Sequence, residues 1–573
     1  MLLSRFLIST VLFFNALFNF HASNTIFDSP VKIPLTLSSN FGELRIDHFH
    51  SGVDIKTQGV TGKEVVAAAA GYVYRISVSP GGFGKALYIK HPSGYSTVYA
   101  HLDRFIPGIE EYVISQQYEK KSYLVTLFPS RDKFPVEQGD LIAYSGNSGS
   151  SSGPHLHYEI RKSESETPVN PLLFDFGTGD NIEPVIEKLF VYPITGKTLI
   201  NNQSKLTRID IAGGHGNYYV PAENEIKISG LAGFGIKSYD LLNDSYNKCA
   251  VYSIELRIDS MTIFRYVMDK FSFDESRYVN SHIDYETFMR DNIYVERTFV
   301  LPNDKLSAYQ SVVNRGTYNF SDSGIHHAQI IVADMHNNKA TLSFKIFSQP
   351  PAKPAPEVIS DNNLKIMPYN KLNRFISDNI YIAIPSGALY DTIYFDYKKK
   401  PGTSEMFSEI HFIQNKFTPL HKAYNLSIKP GVIPAGKESK LLIIQTDENM
   451  KKSALSSKFS DGYVSGEALT FGEFYVGIDT VPPVISSNGL LSGVDLRGRN
   501  ELRIRIRDDL SGIKSYEPVI DGKWALFEYD QKNEVLIYSF SQQRIAKDSK
   551  HILNLRVTDN KDNQSNFICE FTW

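Results

Sequence analysis

The chain has 573 residues, enough for several domains at roughly 150 residues each, and its 42% apolar and 21% charged residues are those of a folded globular protein. With 60 basic and 63 acidic side chains the formal charge is −3, which gives no electrostatic reason to expect binding to nucleic acid or anionic membranes. Aromatic residues reach 12%, nearly all Phe and Tyr, and favour half-buried sheet surfaces.

Arg5 precedes a mostly apolar stretch, Phe6 to Phe20, that is shorter than the roughly 20 residues a bilayer span needs. Residues 1–23 therefore read as a signal peptide, cleaved near Ala22 or Ser23, and predict an exported protein of the periplasm or cell surface. No later segment is long and apolar enough to span a membrane, so the mature chain is expected to have no transmembrane segment.

Residues 24–178 hold three histidine segments: His50-Ser-Gly-Val-Asp54, Tyr99-Ala-His101-Leu102 and Gly153-Pro-His155-Leu-His157. If Leu156 lies in a strand, alternation sends it to one face and both His155 and His157 to the other. A catalytic zinc takes three protein ligands from His, Asp or Glu and keeps a position open, a need that two His and one Asp meet. The region has no Cys, which disfavours soft metals, and the chain lacks the helical His-Glu-x-x-His motif, so histidines would have to act as base. A zinc ion at such a site would support peptide hydrolysis, with further imidazoles moving protons or stabilising an oxyanion.

Other residues here have plainer readings. His48 mimics a ligand pair with His50, His91 precedes a turn, and Gly146 to Gly153 lacks the Lys-Ser/Thr ending of a phosphate loop and reads as groove lining or a turn. Glu159 falls on the face of His157, as a partner of that ligand or as a buried carboxylate. Between Leu102 and Val136 lie about 30 residues with a short amphipathic helix around Ile109 to Gln117 and a strand over Tyr123 to Phe128, predicted to wall the groove and restrict which peptides enter.

Beyond Asp180 the texture is that of short alternating strands, as in Glu501 to Arg507. Pro184-Val185-Ile186 matches Pro483-Val484-Ile485, and Gly235-Ile236-Lys237-Ser238-Tyr239 matches Gly512-Ile513-Lys514-Ser515-Tyr516. His326, Asp334 and Asn338 keep the offsets of His551, Asp559 and Asn563, so two copies of one unit are expected, the first carrying an insertion of about 50 residues. Pro350, Pro351, Pro354 and Pro356 predict a stiff linker. The expected domains are 24–178, a β-sandwich with insertion at 179–348, a β-rich unit at 357–478 and an immunoglobulin-like sandwich at 479–573. Cys249 and Cys569 form no disulfide framework and read as buried thiols, with one long-range bridge between them as the alternative.

Residues about 38 to 172 resemble the lysostaphin-type (LytM-like) zinc endopeptidases of peptidoglycan. The resemblance rests on Ser39-Asn40-Phe41-Gly42, His50 to Asp54, Val66 to Gly71, His91 with Gly94-Tyr95, Tyr99 to Leu102, Gly146 to Gly149, Gly153 to Glu159 and Asn170-Pro171, in that order. It implies that His50, Asp54 and His157 bind Zn2+, that His101 and His155 are the catalytic imidazoles, and that the substrate is a peptidoglycan peptide. It also implies a small antiparallel β catalytic domain with a groove, so the whole chain is expected to be all-β, with several immunoglobulin-like domains that hold a protein or carbohydrate partner. Two other readings are a non-catalytic wall-binding or hydrolase-activating protein on the same fold, and a scaffold or adhesive chain.

Overall fold

The strand His155–Lys162 organises the first domain. Leu156, Tyr158 and Ile160 pack into an apolar core, while the opposite face carries His157, Glu159 and Arg161, all three buried as well. This is a computed structural model that describes residues 26–174, 177–350, 365–447, 449–487 and 493–573. The expected signal peptide, 1–23, and the linker prolines Pro351, Pro354 and Pro356 lie outside the described residues.

The antiparallel sheet of this domain runs Leu37–Ser39, Val53–Lys56, His155–Lys162, Tyr95–Phe105, Lys85–Lys90, Gly71–Val78 and Pro135–Val136. Register places His157 between Asp54 on one side and Ala100 on the other. The strands after residue 184 form three further cores, centred on Leu256 and Ile330, on Leu426 and Ile443, and on Ile504 and Leu555. The third is enclosed by two five-stranded sheets, and the fourth by a four-stranded and a five-stranded one, so the class is all-β with stacked sandwiches. Among the described residues no helix is long and apolar enough to cross a membrane.

The two copies correspond through their histidines. His326 meets Asp259 Oδ2 at 2.6 Å and His551 meets Asp521 Oδ2 at 2.6 Å, each aspartate following the strand that pairs with the strand bearing the histidine. The identical pentapeptides are not equivalent: Gly235 to Tyr239 pairs with Val185–Pro193, whereas Ile513–Ile520 pairs with Lys550–Asp559, the place held in the first copy by Ser253–Ile258. A five-residue alternating string fits any half-buried strand, so identity at this length does not fix position in a sandwich.

The longer first copy carries the helical segments Phe273–Tyr278, Val279–His282 and Tyr285–Asp291. These grip the hairpin before His50: Ser276 Oγ accepts from Phe49 N at 3.1 Å, and Asn280 Nδ2 donates to Asp47 Oδ1 at 2.7 Å. Phe41 and Phe49 are buried in the second core, not the first. Cys249 and Cys569 are buried thiols.

The segment after His101 departs from the groove-wall expectation. The helix Pro107–Lys120 buries Ile109, Val113 and Gln117 in its own domain and points Tyr118 at the last sandwich. There Tyr118 meets the Trp524 ring edge-on at 5.2 Å, lies under Arg544 at 4.7 Å and donates to Gln542 Oε1 at 2.6 Å. Lys85 and Glu528 join the same two domains at 3.1 Å. The aromatic and amphipathic character read from this segment is thus used for docking a domain.

The third core contains a fully buried histidine, His411, whose Nδ1 faces Tyr397 OH at 2.8 Å. Burial pushes its imidazole down to about 4, so between pH 6.5 and 4 the unfolded chain takes up a proton that the folded domain does not. Stability from this group is present above pH 6.5 and lost as pH falls through about 4, a loss of about 3 kcal/mol when complete. Urea unfolding at pH 7 and pH 4.5 should show a smaller acid loss for His411→Gln than for the parent; equal losses would refute the assignment.

Candidate metal centre

His50, Asp54 and His157 come from separate places and converge. Asp54 lies in the strand Val53–Lys56 and His157 directly opposite it. His50 enters from the hairpin Leu44–Arg45/His48–Phe49. Gly52 lets the chain between His50 and Asp54 pass under the neighbouring strand, since a Cβ there would stand 2.3 Å from the Tyr158 carbonyl oxygen. Asp54 Oδ1 lies 3.1 Å from His50 Nε2 and 3.0 Å from His157 Nδ1, and the two nitrogens are 3.0 Å apart. These three residues form a buried group whose donor atoms all fall within metal-binding reach of one another.

His101 and His155 border the same space. His155 Nε2 lies 3.5 Å from Asp54 Oδ1, and the His101 ring centre is 4.9 Å from that of His155 and 5.8 Å from that of His157. His101 has φ +58° and sits where the ladder with Lys85–Lys90 slips register, a bulge that turns a strand side chain toward the centre. All five residues singled out by the sequence are therefore gathered in one place.

Each imidazole has one nitrogen committed elsewhere. His50 Nδ1 donates to Asn40 O at 2.8 Å, His101 Nδ1 to Ser148 O at 2.9 Å, and His155 Nδ1 to Gly153 O at 2.9 Å. His157 Nε2 donates to Glu159 Oε1 at 2.9 Å. A carbonyl or carboxylate acceptor fixes the tautomer of a neutral ring, and the nitrogen left facing the shared centre is Nε2 for three rings and Nδ1 for His157. The Gly146 to Gly153 tract is thus the backbone that orients His101 and His155.

Electrostatics follow from burial and neighbours. Burial raises the Asp54 carboxyl, but His50, His155 and His157 outweigh it and hold the group well below the usual carboxylate range. Burial, then His157 and His155, push His101 down to about 3, so it is neutral at any working pH. Burial opposes charge on His157, yet Asp54 and Glu159 lift it to about 9 in the metal-free chain, so an ion bound at Nδ1 would displace the proton that this nitrogen shares with Asp54. Glu159 is fully buried and held down at about 2 against its burial by Arg161 and His157.

Several contributors carry no local sequence signal. Arg45 bonds Asp54 Oδ2 at 3.3 Å and Ser39 Oγ at 2.8 Å, and Phe83 stacks on His157 at 5.2 Å. Lys532 of the last sandwich donates to Asn147 O and, at 2.8 Å, to Ser151 O. Arg161, by contrast, is legible as the next residue on the His157–Glu159 face, with Nε 2.5 Å from Glu159 Oε2. His48 is exposed and bonds Ile46 O, and His91 is a buried structural residue between Ala70 O and Thr97 Oγ1.

Residues 48–118 and 130–171 match the model described as Peptidase family M23, the break falling inside the segment after His101, and residues 364–479 match a Zu5-like domain. The chain is 33% identical over 143 residues to an uncharacterized metalloprotease of Haemophilus influenzae, covering 25% of this chain and 24% of the relative. It is 33% identical over 142 residues to the DD-carboxypeptidase/endopeptidase Mpg of Neisseria meningitidis serogroup B, covering 24% and 26%. To the murein hydrolase activator NlpD of Escherichia coli it is 32% identical over 126 residues, covering 22% and 26%. The chain spans about a quarter of the length of the curated relatives it matches. A solved catalytic domain of a prophage-encoded M23 protein from Enterococcus faecalis aligns at 26% identity with a TM-score of 0.19, covering 25% of this chain and 95% of that one.

Proposed function

We propose, from the premise that residues 48–118 and 130–171 are a peptidase family M23 domain, that this chain is an exported zinc endopeptidase cutting cross-links or stem peptides of bacterial peptidoglycan. The observation that supports it best is the set of four imidazoles around Asp54, each with one nitrogen tied to a fixed acceptor and the other turned to the shared centre. This donor set fits zinc: two imidazole nitrogens and one carboxylate oxygen, with Asn40 O and Glu159 as the outer partners such ligands use.

His50, Asp54 and His157 would hold the ion. When bound, zinc supplies Lewis-acid polarisation of a carbonyl and a more acidic water. His101, held neutral and tied through Nδ1 to Ser148 O, offers Nε2 as a hydrogen-bond acceptor that orients the attacking water. His155, set beside Asp54 and anchored on Gly153 O, offers Nε2 as a second proton acceptor and, once protonated there, can hydrogen-bond the developing oxyanion or pass that proton to the leaving amine. Phe83 and the buried Arg161–Glu159 pair keep water away from the inner side of His157. The sandwiches after residue 184 position this domain and hold its protein or carbohydrate partner.

The test is incubation of the zinc-loaded full chain with purified sacculi and with defined peptidoglycan, reading released fragments by mass spectrometry. New amino termini at one kind of peptide bond are expected. Sacculi that are bound but never cut would defeat the reading in favour of hydrolase activation, the role named for the 32% identical NlpD relative.

A further inference from the structure

The matched Pro-Val-Ile and Asp-x-x-x-Asn landmarks of the two copies belong to one repeated arrangement. Asp180 and Asp479 stand four residues before Pro184 and Pro483, each just ahead of the first strand of its sandwich. In both, Oδ1 accepts from the backbone N–H two residues on, Ile182 at 3.3 Å and Val481 at 3.2 Å. In both, the main-chain carbonyl accepts from an asparagine amide, Asn338 at 3.2 Å and Asn563 at 3.1 Å. Those asparagines also donate through Nδ2 to Asp334 Oδ2 at 2.6 Å and Asp559 Oδ2 at 2.7 Å. A third carboxylate stands by each group: Asp508, just after Glu501–Arg507, within ligand reach of Asp479 and Asp559, and Asp240, near the end of Ile226–Leu241, lining one small cavity with Asp334 and His336.

Donor oxygens of Asp479, Asp508 and Asp559 lie within 4.8 Å of one another, as do ligand atoms of Asp180, Asp334 and His336. Hydrogen bonding does not exhaust these carboxylates. Asp240 is 1% exposed and Asp479 2% exposed, yet Asp240 Oδ1 and Asp479 Oδ2, together with Asp180 Oδ2, are buried with no hydrogen-bond donor among the described residues. The nearest cation in the second copy, Lys561, spends its ammonium on Leu441 O at 2.7 Å and Ser457 O at 2.8 Å, and the matching residue in the first is the exposed His336.

We propose that Asp180, Asp240 and Asp334 bind one hard divalent cation and Asp479, Asp508 and Asp559 a second, with calcium the preferred ion. Buried and half-buried aspartates with adjacent main-chain carbonyls make an all-oxygen donor set, and calcium accepts several carboxylates in irregular geometry where magnesium holds to its octahedron and its waters. Each cation fastens the segment entering a sandwich to the two turns of that sandwich, and so sets the angle to the preceding domain. In the first copy Asp240, Asp334 and His336 share a small cavity with Asn40 and Asn170 of the peptidase-like domain, so this cation would lie behind the residue that holds His50. The proposal is independent of any peptidase activity.

Calcium titration of the zinc-loaded full chain by calorimetry, with terbium luminescence as a second readout, should show two sites. Asp240→Asn and Asp508→Asn should each remove one, and the double variant both. Calcium should raise the melting temperature of the parent by roughly 5 °C or more, and magnesium less. In a calcium chelator Asp240→Asn should melt no lower than the parent, because Asp240 Oδ1 has no hydrogen bond to lose, which separates lost binding from lost folding. No calcium bound at millimolar concentration, or unchanged stoichiometry in the folded variants, would overturn the proposal.

Discussion

His155→Ala is expected to keep its zinc and lose activity on sacculi by 100-fold or more, whereas Asp54→Ala loses both. The difference rests on where each side chain stands. Asp54 Oδ1 touches His50, His157 and His155 together, so its removal leaves two imidazoles with no carboxylate and only two protein ligands. His155 adds a fourth ring on the open side, tied to Gly153 O, and its loss removes a proton-transfer or hydrogen-bonding group worth roughly 100- to 10,000-fold. Zinc content by atomic absorption and fragment release from sacculi, measured on the same preparations, separate the two cases. Full activity in His155→Ala, or stoichiometric zinc in an active Asp54→Ala, would sink the assignment of roles.

Glu159→Ala should be the most damaging change to the stability of the first domain. Glu159 is fully buried and accepts from Arg161, Ser51 at 2.5 Å and His157 at 2.9 Å. Without it, a buried guanidinium and imidazole lose their shared counter-charge, at a cost of about 3–5 kcal/mol. The pH sign is fixed by its depressed pKa: the stabilisation stands above pH 4.5 and is lost as pH falls through about 2. Zinc affinity should fall as well, by roughly 10- to 100-fold, because the ring of His157 is no longer held. Glu159→Gln retains an acceptor for His157 and should cost less. Calorimetric melts of the three proteins decide the matter, and an unchanged melting temperature for Glu159→Ala would show that Arg161 finds another partner.

What the sequence disclosed follows the reach of its local rules. Alternation places His155 and His157 on one face and Leu156 on the other, and the strand pairing adds that the partner across from His157 is Asp54. Alternation likewise puts Glu159 and Arg161 on that face, so the buried polar ladder behind the site is readable once the strand is accepted. Phe83 and Arg45 are not, because one arrives on a loop and the other on a two-residue strand of a hairpin, and the approach of both depends on the packing of the whole domain. Nor is the destination of Tyr118 readable, since Trp524 and Gln542 lie some 400 positions away and nothing in an amphipathic helix names its partner. Phe41 and Phe49 teach the same lesson: their apolar character was plain, but they fill the core of the next domain.

The last sandwich returns to the first domain at the loop that orients the catalytic-type imidazoles. Lys532 holds the carbonyls of Asn147 and Ser151, which flank the Ser148 carbonyl that fixes His101. The later domains are therefore not a free tether. They close the polypeptide into a loop whose far end braces the histidine-bearing end, so the final sandwich and the candidate metal centre keep a fixed separation.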